Sequence, residues 1–164
     1  QFISVEQRYK DSIWRCYQQH KDTEDFMLHL DIDIYFRGNL QELFDFISQY
    51  DICIRFRPKA MAKGRENRCV LGNLISFKFC RDTEKFLNTW HSIINSKPLI
   101  EKPKGFGQTS FWKAYLKHKD MNWGNLPSNI KVKNTAKNAL MWSANRGSKE
   151  KNLKLCREDM KENK

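Results

Sequence analysis

No apolar run in these 164 residues approaches the roughly 20 needed to cross a bilayer as a helix. A hydrophobic membrane span is therefore not expected. Cysteine is sparse and unpaired: Cys16, Cys53, Cys69, Cys80 and Cys156 make an odd five. None forms a C-x-x-C pair, and no Cys/His grouping has zinc spacing. The five thiols read as free, in a reducing, cytoplasmic setting. The sequence holds no N-x-[ST] acceptor, which agrees. No signal peptide is legible, and the first residue is Gln1, so a processed or truncated piece is expected. No histidine shares a spacing with a nearby nucleophile, which leaves a catalytic triad without support. Gly105-Phe106-Gly107 is not followed by Gly-Lys-Ser/Thr and reads as a turn rather than a phosphate loop. Acidic residues are few, 19 against 30 basic, for a net charge of +11. That balance points to anionic partners without choosing among them.

What is present is enough for a folded domain. The hydrophobic share is 40%, ordinary for a globular chain and unlike a disordered one. Apolar periodicity predicts helices over 5–20 (capped by Ser4, with Ile13, Trp14 and Tyr17 on one face), 40–47, 83–95 and 108–117. Strands are expected over 27–36, 51–56 and 70–79, with a turn at Gly38-Asn39 and loops at 57–68 and 98–107. The basic stretch 57–68, with Pro58 and Gly64, reads as a mobile surface loop. Strands alternating with helices imply an α/β sheet layered with helices. From 131 to 164, ten Lys/Arg meet four Asp/Glu. This basic C-terminal segment is expected to complete the fold of 1–130 and to end in an exposed helical or disordered tail. It reads as a solvated face or as a contact for phosphates or an anionic surface.

The most informative stretch is Leu28-His29-Leu30-Asp31-Ile32-Asp33-Ile34-Tyr35-Phe36. Two carboxylates stand two apart in an apolar, β-prone run. On a continuous strand, i and i+2 point to the same side, so Asp31 and Asp33 converge. Like charges held together repel, and a hard divalent cation between them relieves the repulsion. His29 shares that face as a further candidate ligand. The plainer reading is a strand end carrying two solvated aspartates.

The string LDIDIYFRGNLQEL, from Leu30 to Leu43, resembles the signature of metal-dependent, nucleotide-sugar glycosyltransferases of the GT-A fold. There an apolar strand ends in Asp-x-Asp, and a turn and a helix follow, matched here by Gly38-Asn39-Leu40-Gln41-Glu42-Leu43-Phe44. Later blocks are similar in order. Val70 to Phe77, with Gly72-Asn73, resembles the acceptor-side strand, and Arg81 to Trp90 the helix after it. Gln108 falls where the family has Asp-Gln opening a helix, with Gly107 in place of the Asp. Leu126-Pro127 resembles the segment before the last strand. WSANRGSK, from Trp142 to Lys149, resembles the late loop near the donor diphosphate, here without its histidine.

The resemblance implies a GT-A-like, Rossmann-related mixed sheet flanked by helices, lacking most of the N-terminal nucleotide-binding half. It implies Mn²⁺ or Mg²⁺ on Asp31 and Asp33, and a nucleotide-sugar donor, such as a UDP-sugar, contacted by Asp31, Asp33, Arg146 and Lys149. Gln108 is implied on the side of a glycan, lipid or protein acceptor. Trp112 or Trp123 is a candidate acceptor wall against a core role, and His118 reads as a surface residue at a helix end. Two alternatives stay open: a basic nucleic-acid-binding module, and an inactive glycosyltransferase-like domain that only mediates contacts.

Overall fold

The computed structural model describes residues 5–31, 34–36, 40–96, 106–127, 131–132, 141–143 and 149–162. Ser4, Asp33, Gly38-Asn39, Arg146 and most of the expected 98–107 loop lie outside them. In chain order the elements are α1 (Val5–His20), β1 (Phe26–Leu30), β2 (Ile34–Phe36), α2 (Gln41–Ile47), β3 (Ile52–Phe56) and α3 (Pro58–Met61). A 3-10 turn (Glu66–Arg68), β4 (Val70–Lys78), α4 (Arg81–Asn95), α5 (Phe106–Lys117) and β5 (Trp123–Asn125) follow, then β6 (Lys131–Val132), β7 (Met141–Ser143) and α6 (Lys149–Glu162).

The main sheet is mixed, ordered β1-β4-β3-β5. Strand β4 runs antiparallel to both β1 and β3, and β5 runs parallel to β3. Strands β1, β3 and β5 therefore all end at one edge. Apolar alternation decides what covers each face. Ile52 and Ile54 of β3, with Ile75 and Phe77 of β4, meet Ile13 and Tyr17 of α1, Phe86, Leu87, Trp90 and Ile94 of α4, and Phe111, Trp112 and Ala114 of α5. Cys53 and Leu74 point the other way, onto Leu43 and Ile47 of α2 and onto Phe26, Leu28, Ile34 and Phe36. Because β3 is covered on both sides, it reads as a continuous apolar run rather than an alternation. Each large side chain buried in these layers contributes about 1.5–3 kcal/mol.

The expected strand over 27–36 is in fact two strands in two sheets. β1 pairs with β4, whereas β2 pairs with β7 in a small second sheet ordered β2-β7-β6. Between them the Ile34 N–H donates to the Asp31 carbonyl across 3.3 Å, a turn-like closure. Asp is favoured at the first position of such a turn. Asp33, the second carboxylate of the expected pair, lies outside the described residues.

The edge at which β3 begins is stitched together. The Asp51 N–H donates to the Asn122 carbonyl, the Lys78 N–H donates to the Asp51 carbonyl, and Thr83 Oγ1 donates to that same carbonyl at 3.1 Å. The Tyr17 hydroxyl donates to the Cys80 carbonyl at 3.0 Å and accepts from the Cys80 N–H at 3.2 Å. Burial pushes its pKa up to about 12, so it stays a donor. The opposite edge carries the polar residues described next.

Candidate functional site

Asp31 stands one residue past β1, at the edge where β1, β3 and β5 end, and is exposed. Its N–H donates to the Asn73 carbonyl at 3.0 Å, which extends the β1–β4 register by one step beyond Leu30 opposite Leu74. On its β3 side, β4 is irregular at that point. The pairing passes from Ile54 opposite Ile75 directly to Arg55 opposite Leu71, so Gly72, Asn73 and Leu74 bulge out of that ladder. Bulges of this kind re-aim side chains at sheet edges and sites. The Asn73 Oδ1 is buried and has no hydrogen-bond partner among the described residues. An acceptor left unmade in this way costs about 1–3 kcal/mol, which a fold tolerates where a ligand supplies the donor.

A third segment reaches the same place. Strand β2 pairs antiparallel with β7, setting Ile34 opposite Ser143. Ser143 is the last residue of β7, and Ile34 opposite it donates its N–H to the Asp31 carbonyl. Three stretches remote in sequence (Asp31, Gly72-Asn73 and Ser143) therefore meet through backbone pairing alone. Asn125, at the end of β5, closes the edge by accepting the Phe56 N–H on Oδ1 at 3.0 Å.

The other expected site residues are placed as follows. Lys149 is the first residue of α6, and Gln108 sits half-buried in the first turn of α5. His29 is half-buried on β1 opposite Ile75. Trp90 and Trp112 are core, and Trp123 is half-buried in a ring cluster with Phe86, Phe111 and Tyr115. His118 is not an open surface residue. It lies 2.8 Å from Thr89 Oγ1, packs against Phe86, and its carbonyl accepts from Trp123 Nε1. Burial lowers its pKa, helped by Lys117 and Lys85 and opposed by Asp82.

Among the described residues, no three His, Cys, Asp or Glu side chains gather as a metal-binding set. The donors beside the turn are oxygens, the Asp31 carboxylate and the Asn73 carboxamide, the type that hard divalent cations accept. The five cysteines are all free thiols. Cys53 is buried, and its pKa is raised to about 11 by that burial, which makes it a packing group rather than a nucleophile.

Sequence reasoning missed one feature of this edge. Residues 57–69 are not an irregular loop. They form α3, a glycine-closed turn and the 3-10 turn, with Met61 packed onto the core and Cys69 buried in it. The signal available was Gly64, which sits at φ +61° just past a short helix opened by Pro58. That is the Pro-start, Gly-stop pattern of helix ends.

The fold and site thus define a mixed α/β domain whose four-stranded sheet is flanked by helices and whose polar residues collect where its three co-directional strands end. No protein-family model matches the chain, and no curated protein matches it in sequence. No helix among the described residues is long and apolar enough to cross a membrane.

Proposed function

We propose that the chain is the Asp-x-Asp-bearing part of a nucleotide-sugar glycosyltransferase, moving a sugar from a nucleoside diphosphate to an acceptor hydroxyl. The observation that carries this reading is the pairing of Ile34 with Ser143. It supports the reading because it brings Ser143, three residues before Arg146 in sequence, opposite Ile34 at the edge where open α/β sheets receive ligands. Transfer breaks the bond from the sugar's anomeric carbon to the diphosphate and forms one to the acceptor oxygen, which gives up its proton. Negative charge grows on the departing diphosphate.

Asp31 and Asp33 would hold a divalent cation, whose chemistry there is Lewis-acid neutralisation of that charge. Arg146 and Lys149 would add positive charge to the phosphates. Asn73 Oδ1, an acceptor without a donor among the described residues, suits a sugar hydroxyl.

The test is calorimetric titration of Mn²⁺ with and without UDP, on the wild type and on Asp31→Ala/Asp33→Ala. Metal-dependent UDP binding that disappears in the variant supports the assignment. Binding that survives the double substitution removes it. The urea midpoint of the variant is compared with that of the wild type, so that loss of binding is told apart from loss of structure.

A further inference from the structure

Between Phe56 and Val70 the chain carries Arg57, Lys59, Lys63, Arg65 and Arg68 against one acid, Glu66. Lys59, Lys63, Arg65 and Arg68 are exposed and Arg57 half-buried. None of the five forms an ion pair among the described residues. Clustered, uncompensated charge of one sign opposes folding and builds a local positive potential.

The cluster is also fixed in shape. The Arg57 N–H donates to the Cys69 carbonyl at 2.8 Å and closes the base of the loop. At the end of α3, the Arg65 N–H donates to the Ala60 carbonyl and the Gly64 N–H to the Met61 carbonyl, both at 3.0 Å. With Gly64 at φ +61°, this is a Schellman closure. A preformed loop spares the backbone-ordering part of the cost of binding, leaving only the rotamer freedom of the charged side chains to be lost.

This ledge leaves the carboxyl end of β3 and returns into β4, at the same sheet edge as Asp31. Val70 lies three residues from Asn73, about 10 Å along a strand. The 3-10 turn of the ledge packs on α5, the helix that carries Gln108.

We infer that residues 57–68 form the docking surface for an acidic glycan chain, one bearing carboxylate or phosphate groups along its length, and that this chain is the acceptor. The identity of the partner as acceptor rests on the transferase reading above. Two other polyanions fit less well. The exposed large hydrophobics among the described residues are Leu116, Leu153 and Met160, none on the ledge, so it lacks the apolar anchors of a membrane-inserting surface. Its neighbouring rings, Phe56 and Tyr115, lie 5.0 Å apart and are half-buried, and Tyr115 is stacked on Trp112 at 4.8 Å. They are already packed on one another and offer no open platform for bases.

The experiment uses the full chain and fluorescence anisotropy with a labelled oligogalacturonate. A neutral maltodextrin, a single-stranded oligothymidylate and phosphatidylcholine–phosphatidylserine vesicles serve as comparators. The expected result is salt-sensitive binding of the oligogalacturonate, preferred over all three. It weakens at least about tenfold in Lys59→Glu/Lys63→Glu/Arg65→Glu but changes little in Lys154→Glu/Arg157→Glu/Lys161→Glu, which alters net charge equally on α6. Equal loss in both variants, or tighter binding of the oligothymidylate or the vesicles, overturns the inference.

The Mn²⁺–UDP titration on the ledge variant keeps the two readings apart. Retained UDP binding with lost glycan binding supports an acceptor surface. UDP binding absent even from the wild type, beside ledge-dependent glycan binding, overturns the acceptor role while leaving a glycan-binding ledge.

Discussion

Asn73 carries the clearest conflict between stability and use in the molecule. Its Oδ1 is buried without a partner among the described residues, and the bulge that displaces it breaks the β3–β4 ladder. Replacing an unsatisfied polar group by an apolar one of similar size removes a desolvation penalty. Asn73→Leu should therefore hold or raise stability by about 1 kcal/mol in urea denaturation while weakening capture of a UDP-sugar. A clear destabilisation would mean that the carboxamide is a structural group. Gly124 makes the opposite kind of case. A Cβ there would run into Cys53 Sγ and would stand 2.7 Å from Tyr50 Cδ2, at the buried position of the edge strand β5. Gly124→Ala should cost about 1–3 kcal/mol of overpacking, and adding Cys53→Ala should return part of it, as a double-mutant cycle would show.

Helices α4 and α5 and strand β5 meet at His118, which touches Thr89 of α4 and accepts from Trp123 of β5. Its pKa is lowered by burial, so the folded ring takes a proton at lower pH than the unfolded ring does. The unfolded state then binds more protons once pH falls below the ordinary histidine value of about 6.5. Stability is complete above that value and falls as pH drops through it towards the lowered folded value. Urea midpoints compared at about pH 7.5 and 5 should show the fall, and His118→Gln should flatten it. The contact between α1 and α4 follows a different logic. Lys21 and Glu84 are 2.8 Å apart but about one-third exposed, so water screens the pair and it contributes little. What holds α1 in place is Tyr17, buried against Phe79 and bonded twice to the Cys80 backbone. Helix α6 shows a third arrangement. The expected exposed tail is a helix, yet Cys156 is buried while Leu153 and Met160 stay open.

At the scale of the molecule, one sheet edge holds the structure and the other collects polar groups. Asp51, Asn122 and Thr83 close the first through backbone bonds, the Thr83 hydroxyl and the Asp51 carboxylate. Asp31, Asn73 and the basic ledge lie on the second. The net charge of +11 is distributed over a small body, and self-repulsion of that size opposes the compact state. Raising salt from about 0.05 to 0.5 M shortens the screening length several-fold and should raise Tm in a thermal scan. A fall instead would mean that ion pairs such as Lys21–Glu84 and Lys85–Asp82 outweigh the repulsion.

Much of this was legible in the chain. Apolar residues at helical spacing placed α1, α2, α4 and α5. The β-prone runs at Ile52–Phe56 and Val70–Lys78 gave the two strands at the centre of the sheet, because local periodicity reports which face an element must bury. Density of like charge marked residues 57–68, and a core role was one of the two readings open for Trp112 and Trp123. The sequence by itself also supplied the carboxylate pair that motivates the proposed chemistry. Only the tertiary structure decided the rest. The run from Leu28 to Phe36 has one β-propensity throughout, yet it is shared between two sheets, because each half finds a different partner, β4 or β7. The bulge at Gly72-Asn73 arises from a mismatch between ladders on the two sides of β4, a long-range property that no local pattern carries. Likewise, Ser143 comes to lie opposite Ile34, next to Asp31, through strand register, which is set by which faces can be buried together and not by the 111 residues between Asp31 and Ser143.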